Sequence, residues 1–151
     1  MGSKYIQSNS EAVREFTSGA GQPCPDFPEP MNESEVDFIG KMILDEVMEL
    51  FAVMYTPEVA KAKLKGFIDS SKDLPKEDYS KLSATDANVQ KIADQADALT
   101  DVYYYSQNAM CKKGVNMSAL FDLVHAANMA KRDPATGQYS FFHVVDIKFT
   151  F

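Results

Sequence analysis

The sequence predicts an all-α protein: a bundle of four to five helices with a proline-rich N-terminal arm and an extended C-terminal tail. Apolar residues recur at three- and four-residue intervals over long stretches between positions 33 and 132. Ser, Thr or Asn precedes these stretches and Gly or Pro follows them, the usual start and stop residues of helices. The connections between them are modest in length, which favours a bundle. These signals divide the chain into an arm at 1–32, a helical domain at 33–132 and a tail at 133–151.

The arm carries Pro23, Pro25, Pro28 and Pro30 after a short helix-prone piece around Glu11 to Phe16, so it wraps or loops. A first long helix spans Glu33 to Tyr55, where Phe38, Met42, Val47, Phe51 and Met54 keep helical spacing and Asn32 or Ser34 can cap. Thr56-Pro57-Glu58 opens the next helix, to about Asp69, because a Thr hydroxyl can accept from the first turn and Pro fits the first helical position. Residues 70–83 are polar, contain Pro75, and read as a loop. The longest helix starts at Ser83-Ala84-Thr85-Asp86 and runs to about Cys111, with Gly114 as its stop. A last helix runs from Asn116 to about Arg132 and ends at Asp133-Pro134. The stretch from Gln138 to Phe151, with Phe141-Phe142 and Val144-Val145, prefers extended structure.

A chain of 151 residues with a formal charge of -7 has no basic footprint for a nucleic-acid backbone, so no nucleic-acid partner is expected. No apolar run is long enough to span a bilayer, and Cys24 and Cys111 have no metal or disulfide spacing. A cytoplasmic protein with reduced thiols and no membrane partner is expected.

Two acidic clusters stand out, Asp45-Glu46-x-x-Glu49 on the first long helix and Asp94-x-x-Asp97-x-x-x-Asp101 on the longest one. Carboxylates three or four residues apart share a helix face. Each face alone reads as a solvated surface as readily as a site. Brought together they would repel unless a hard divalent cation neutralised them, and Mg²⁺ suits such oxygen donors. On the last helix His125, Asn128 and Arg132 fall on one stripe with Lys131 beside it, a pattern that also fits an ordinary polar face. Tyr103, Tyr104 and Tyr105 read as core more readily than as a platform for a base.

The order Glu46-x-x-Glu49, then Asp97-Ala-Leu-Thr-Asp101-Val-Tyr-Tyr, Gly114, and Val124-His-Ala-Ala-Asn128-Met-Ala-Lys131 resembles the all-α nucleotide pyrophosphohydrolase superfamily, in its MazG-like and phosphoribosyl-ATP pyrophosphohydrolase-like branch. The likeness covers roughly Val13 to Arg132. It implies a MazG-like bundle and an enzyme that cleaves a nucleoside triphosphate between the α and β phosphates, giving the monophosphate and pyrophosphate, with Mg²⁺ or Mn²⁺ as cofactor. By position it implies Glu46 and Glu49 as metal ligands, one of them also the general base, and Asp97 and Asp101 as the second pair. Many members carry Glu-x-x-Asp there, and Ala98 stands where that Glu falls. Either Asp97 takes its place, or Asp94 and Asp97 form the pair. The resemblance further implies Asn128 and Lys131 as substrate contacts, a homodimer or homotetramer, and removal of unwanted nucleotides as the role. The alternatives are a noncatalytic helical nucleotide-binding or interaction protein of this descent, or an enzyme acting on phosphoribosyl-ATP. The hydrophobic 140–151 segment departs from the family's usual Gly- and Lys-containing ending.

Overall fold

The computed structural model describes residues 8–139. Among them are five helices: α1 (Asn9–Gly19), α2 (Glu33–Ala52), α3 (Pro57–Ser70), α4 (Ala84–Cys111) and α5 (Met117–Met129). Extended pairing among these residues is limited to an isolated antiparallel bridge between Arg132 and Tyr139. The all-α expectation holds, and no described helix is long and apolar enough to cross a membrane. The extended structure expected for the tail lies, beyond Tyr139, outside the described residues.

Local chemistry sets the helix ends. Ser8 and Glu11 form a reciprocal capping box at α1, and Asn32 and Glu35 form one at α2, where Asn32 N–H donates to the Glu35 carboxylate at 2.8 Å. Thr56 departs from expectation. It occupies the N-cap of α3 but makes no side-chain cap hydrogen bond. The Glu58 carboxylate lies there instead: its own backbone N–H and then the Thr56 hydroxyl hold it below the usual carboxylate range. Beyond α4, Gly114 adopts φ +74°, and Val115 N–H reaches back to Met110 O at 3.0 Å, a closure that a side chain at Gly114 would strain.

The last helix is shorter than its pattern suggests. It ends at Met129, so Lys131 and Arg132 lie beyond it. After Met129 the ladder tightens, Lys131 N–H donating to Asn128 O and Arg132 N–H to Met129 O, both at 3.1 Å, and Pro134 then keeps Asp133 out of helical conformation. Asp133 then accepts from Ala135 N–H at 2.7 Å, and the chain reverses so that Asp133 N–H donates to Gln138 O at 2.8 Å.

The chain forms two compact units, whose described parts are residues 29–97 and residues 8–28 with 98–139. In the second unit α1 packs on α5. Ala12 and Ala127 are buried, and their small side chains let the helices approach closely. Tyr139 closes this unit: its ring meets Phe16 edge-on at 4.8 Å, and a Cβ on Gly19 would sit 3.1 Å from its hydroxyl. Arg14 holds the proline-rich segment on α1, donating to Cys24 O at 2.8 Å, Pro25 O at 3.1 Å and Asp26 at 3.1 Å.

In the 29–97 unit α2 packs on α3 around fully buried Ala60, with Phe51 and Phe67 edge-on at 6.1 Å. The 84–97 stretch of α4 comes within 8 Å of neither helix, Cα to Cα. Polar side chains attach it instead. Gln95 accepts from Met31 N–H at 2.8 Å and donates to Met31 O at 3.0 Å, while Tyr79 O–H donates to Asp94 at 2.8 Å. Gln95→Ala removes two partly buried hydrogen bonds and leaves both Met31 backbone groups unpaired, so urea denaturation should show a loss of about 1–3 kcal/mol.

Candidate functional site

The two acidic clusters separate into carboxylates with partners and carboxylates without. Asp45 is ion-paired to Lys41 one turn earlier on α2. Asp94 accepts from Tyr79 O–H through one oxygen and from Gln90 Nε2, at 2.9 Å, through the other. Glu46, Glu49, Asp97 and Asp101 are exposed and make no hydrogen bond or ion pair with any described residue.

Glu46 and Glu49 sit three residues apart on α2, and Asp97 and Asp101 four apart on α4, so in each pair the Cβ atoms are about 5–6 Å apart. Hard carboxylate oxygens that face solvent and lack competing cations are suitable donors for Mg²⁺ or Mn²⁺. In donor chemistry the residues fit a divalent cation. Their assembly is a separate matter. Among the described residues no three His, Cys, Asp or Glu side chains come close enough to hold one ion, and within the 29–97 unit α2 and α4 stay apart.

The expected substrate contacts lie in the other unit. Asn128 is on the last turn of α5 and Lys131 just past it, and Lys131 Nζ donates to Asn128 Oδ1 at 2.9 Å. The two residues therefore act as one polar group, with the Asn128 amide N–H₂ and two ammonium hydrogens still able to donate. His125 stacks on Phe121 with ring centroids 6.1 Å apart, a packing contact. Tyr103 and Phe121 line a cavity of about 660 Å³ with α1 and the Pro23–Pro25 segment. Its size and aromatic lining are within the ordinary range for a small-molecule pocket.

Sequence reasoning missed Tyr79. The 70–83 segment reads as an anonymous polar loop, yet Tyr79 is half-buried and bonded to a candidate ligand, with Lys91 Nζ 5.5 Å from its ring centroid. The Gln90–Asp94 contact was legible as an i, i+4 pair; the Tyr79 contact, fifteen residues away, was not.

The family model for phosphoribosyl-ATP pyrophosphohydrolase matches residues 13–128. The chain belongs to that family. The matched span contains Glu46, Glu49, Asp97, Asp101 and Asn128, and ends before Lys131. The family places the chain among the pyrophosphohydrolases of the phosphoribosyl-ATP and MazG-like type. A crystal structure from Exiguobacterium sp. 255-15, described as a candidate NTP pyrophosphohydrolase, is similar at 23% identity, with a TM-score of 0.67 over 94% of this chain and 83% of that one. It supports the family's fold. No curated protein matches the chain.

The Tyr79–Asp94 bond has a measurable signature. Donation to the Asp94 carboxylate, with burial and the negative charges of Asp94 and Glu77, pushes the Tyr79 phenol up from 10.0 to about 12. Because the folded value is raised, this contribution to stability is full below pH 10 and is lost as the pH rises through about 12. Alkaline absorbance titration should show a tyrosinate component with a midpoint near 12 that vanishes in Tyr79→Phe.

Proposed function

We propose that the protein is a Mg²⁺-dependent nucleoside triphosphate pyrophosphohydrolase that cleaves the α–β phosphoanhydride to a nucleoside monophosphate and pyrophosphate. The observation that carries this reading is the family match over residues 13–128, a span that contains two pairs of solvent-facing carboxylates on helix faces, Glu46 with Glu49 and Asp97 with Asp101.

In this reading Glu46, Glu49, Asp97 and Asp101 hold the cation, Mn²⁺ serving in place of Mg²⁺. When bound, the cation offsets the charge of the triphosphate and of the transition state. A carboxylate oxygen of Glu46 or Glu49 takes the proton of the attacking water. Lys131, with Asn128, positions the phosphates or the sugar of the nucleotide.

The apolar surface supports a further part of the proposal. On α2 Phe38 is 65% and Leu50 66% exposed, and Phe67 on α3 is 57% exposed, a density of large apolar groups that a stable monomer rarely leaves in water. A homodimer or homotetramer would cover them. Light scattering after size exclusion should give a mass of two or four times 16.8 kDa.

A noncatalytic nucleotide-binding protein is the second reading, and within the 29–97 unit the separation of α2 from the 84–97 stretch of α4 favours it. Pyrophosphate release from canonical, deoxy- and damaged NTPs and from phosphoribosyl-ATP, with Mg²⁺ and with EDTA, decides between them. Release that needs the metal is expected. Glu49→Gln and Asp97→Asn should each lower kcat by about a hundredfold or more with unchanged helical circular dichroism. Lys131→Ala should raise KM more than it lowers kcat. Silence across the panel would leave the binding protein.

A further inference from the structure

The unit of residues 8–28 and 98–139 holds a cavity of about 660 Å³ whose walls all belong to that unit. Tyr103 from α4 and Phe121 from α5 supply two aromatic rings. The Pro23–Pro25 stretch supplies another wall, and Arg14 fastens it to α1 through the Cys24 and Pro25 carbonyls and the Asp26 carboxylate. Arg14 and Ser10 also border the space. The three bonds use three of the five guanidinium N–H groups, so Nε–H and one Nη1–H have no partner among the described residues. Tyr103 is 52% exposed and the Arg14 side chain 51%, so a ligand can reach both from solvent. Because hydrogen bonds hold the proline stretch in place, the cavity is formed before anything enters it, which favours binding.

Aromatic rings beside a fixed guanidinium define a chemistry. They suit a planar ring that stacks and that turns hydrogen-bond acceptors toward Arg14, which donates and cannot accept. A ring edge with a carbonyl meets that demand, whereas an exocyclic amine would set N–H against N–H. Phe121 also shares a face of α5 with Asn128, two turns and about 10 Å further along, and all of Phe121, His125 and Asn128 are half-buried. Lys131 Nζ is bonded to Asn128. A molecule with a ring at Phe121 and a phosphate at Lys131 therefore lies along one helix face. We propose that this cavity takes the base of a nucleotide and selects bases with a carbonyl edge, of the hypoxanthine, guanine and uracil type, over the amino bases adenine and cytosine. That the nucleotide is the substrate rests on the proposed function; the selection of the ring does not.

The test titrates the full-length protein, in EDTA, with two matched pairs of nucleoside monophosphates, IMP against AMP and UMP against CMP. Within each pair the sugar and phosphate are identical, so a difference in affinity reads the base alone. Magnetic resonance of protein with ¹³C-labelled Tyr and Phe rings follows binding. IMP and UMP should shift the Tyr103 and Phe121 ring signals and bind about tenfold or more tightly than AMP and CMP, the scale of a hydrogen bond to a charged group. Phe121→Leu and Tyr103→Leu should each weaken IMP binding about tenfold, as expected for a lost stacking partner, with unchanged helical circular dichroism. Equal affinity within both pairs would overturn the carbonyl selection. Binding that leaves both ring signals unmoved, or that survives both substitutions undiminished, would overturn the site, as would no binding of any of the four at millimolar concentration. If either variant failed to fold, the ring signals of the parent protein would decide. Pyrophosphate release separates this inference from the proposed function. Metal-dependent release from triphosphates without base binding here would remove the site and leave the function, whereas carbonyl-selective binding without release would do the reverse.

Discussion

The 29–97 unit depends on a polar attachment. Its two helices α2 and α3 pack on each other, but the first half of α4 is joined to the segments that flank them by side-chain hydrogen bonds of Asp94 and Gln95. Gln95 makes a two-point amide clasp on Met31, immediately before the Asn32 cap of α2, and Asp94 receives Tyr79 from the α3–α4 connection. Such bonds are directional and cost little area, so they fix where a chain segment enters a helix without building a core. They also concentrate the consequences of change: loss of one partner leaves the other unsatisfied, which costs more than the intact bond contributes.

The acidic faces follow from the same economy of partners. Two helices that carry unpaired carboxylates gain nothing from closing on each other in the absence of a cation, because the like charges repel and lose hydration together. Asp45 and Asp94 have found local partners in Lys41, Gln90 and Tyr79. Glu46, Glu49, Asp97 and Asp101 have none among the described residues and are exposed.

Burial in both units is done by small side chains. Ala12, Ala60 and Ala127 are the buried apolar residues among those described, each at or near a helix contact, while Phe38, Leu50 and Val53 on α2 stay largely in water. Alanine lets two helices come close, yet it removes little apolar surface, so the contacts of α2 with α3 and of α1 with α5 leave most of the apolar stripe of each helix unused. That unused surface is what a further subunit would bury.

The sequence by itself determined the helices. The Asn32 cap, Pro57, the start at Ala84 and the stop at Gly114 are local signals, each acting on the backbone groups of its own turn, and α2, α3 and α4 begin within a residue or so of where they were expected. The acidic pairs were legible for the same reason, since i, i+3 and i, i+4 spacing is enough to put two carboxylates on one face. Non-local facts were not legible. The attachment of Gln95 to the Met31 backbone, sixty-four residues away, is one such fact. Asp94 looked like its neighbours Asp97 and Asp101 in the sequence. Only the tertiary structure gave it Tyr79, because a hydrogen bond across fifteen residues depends on how a loop folds over a helix, which no periodicity records.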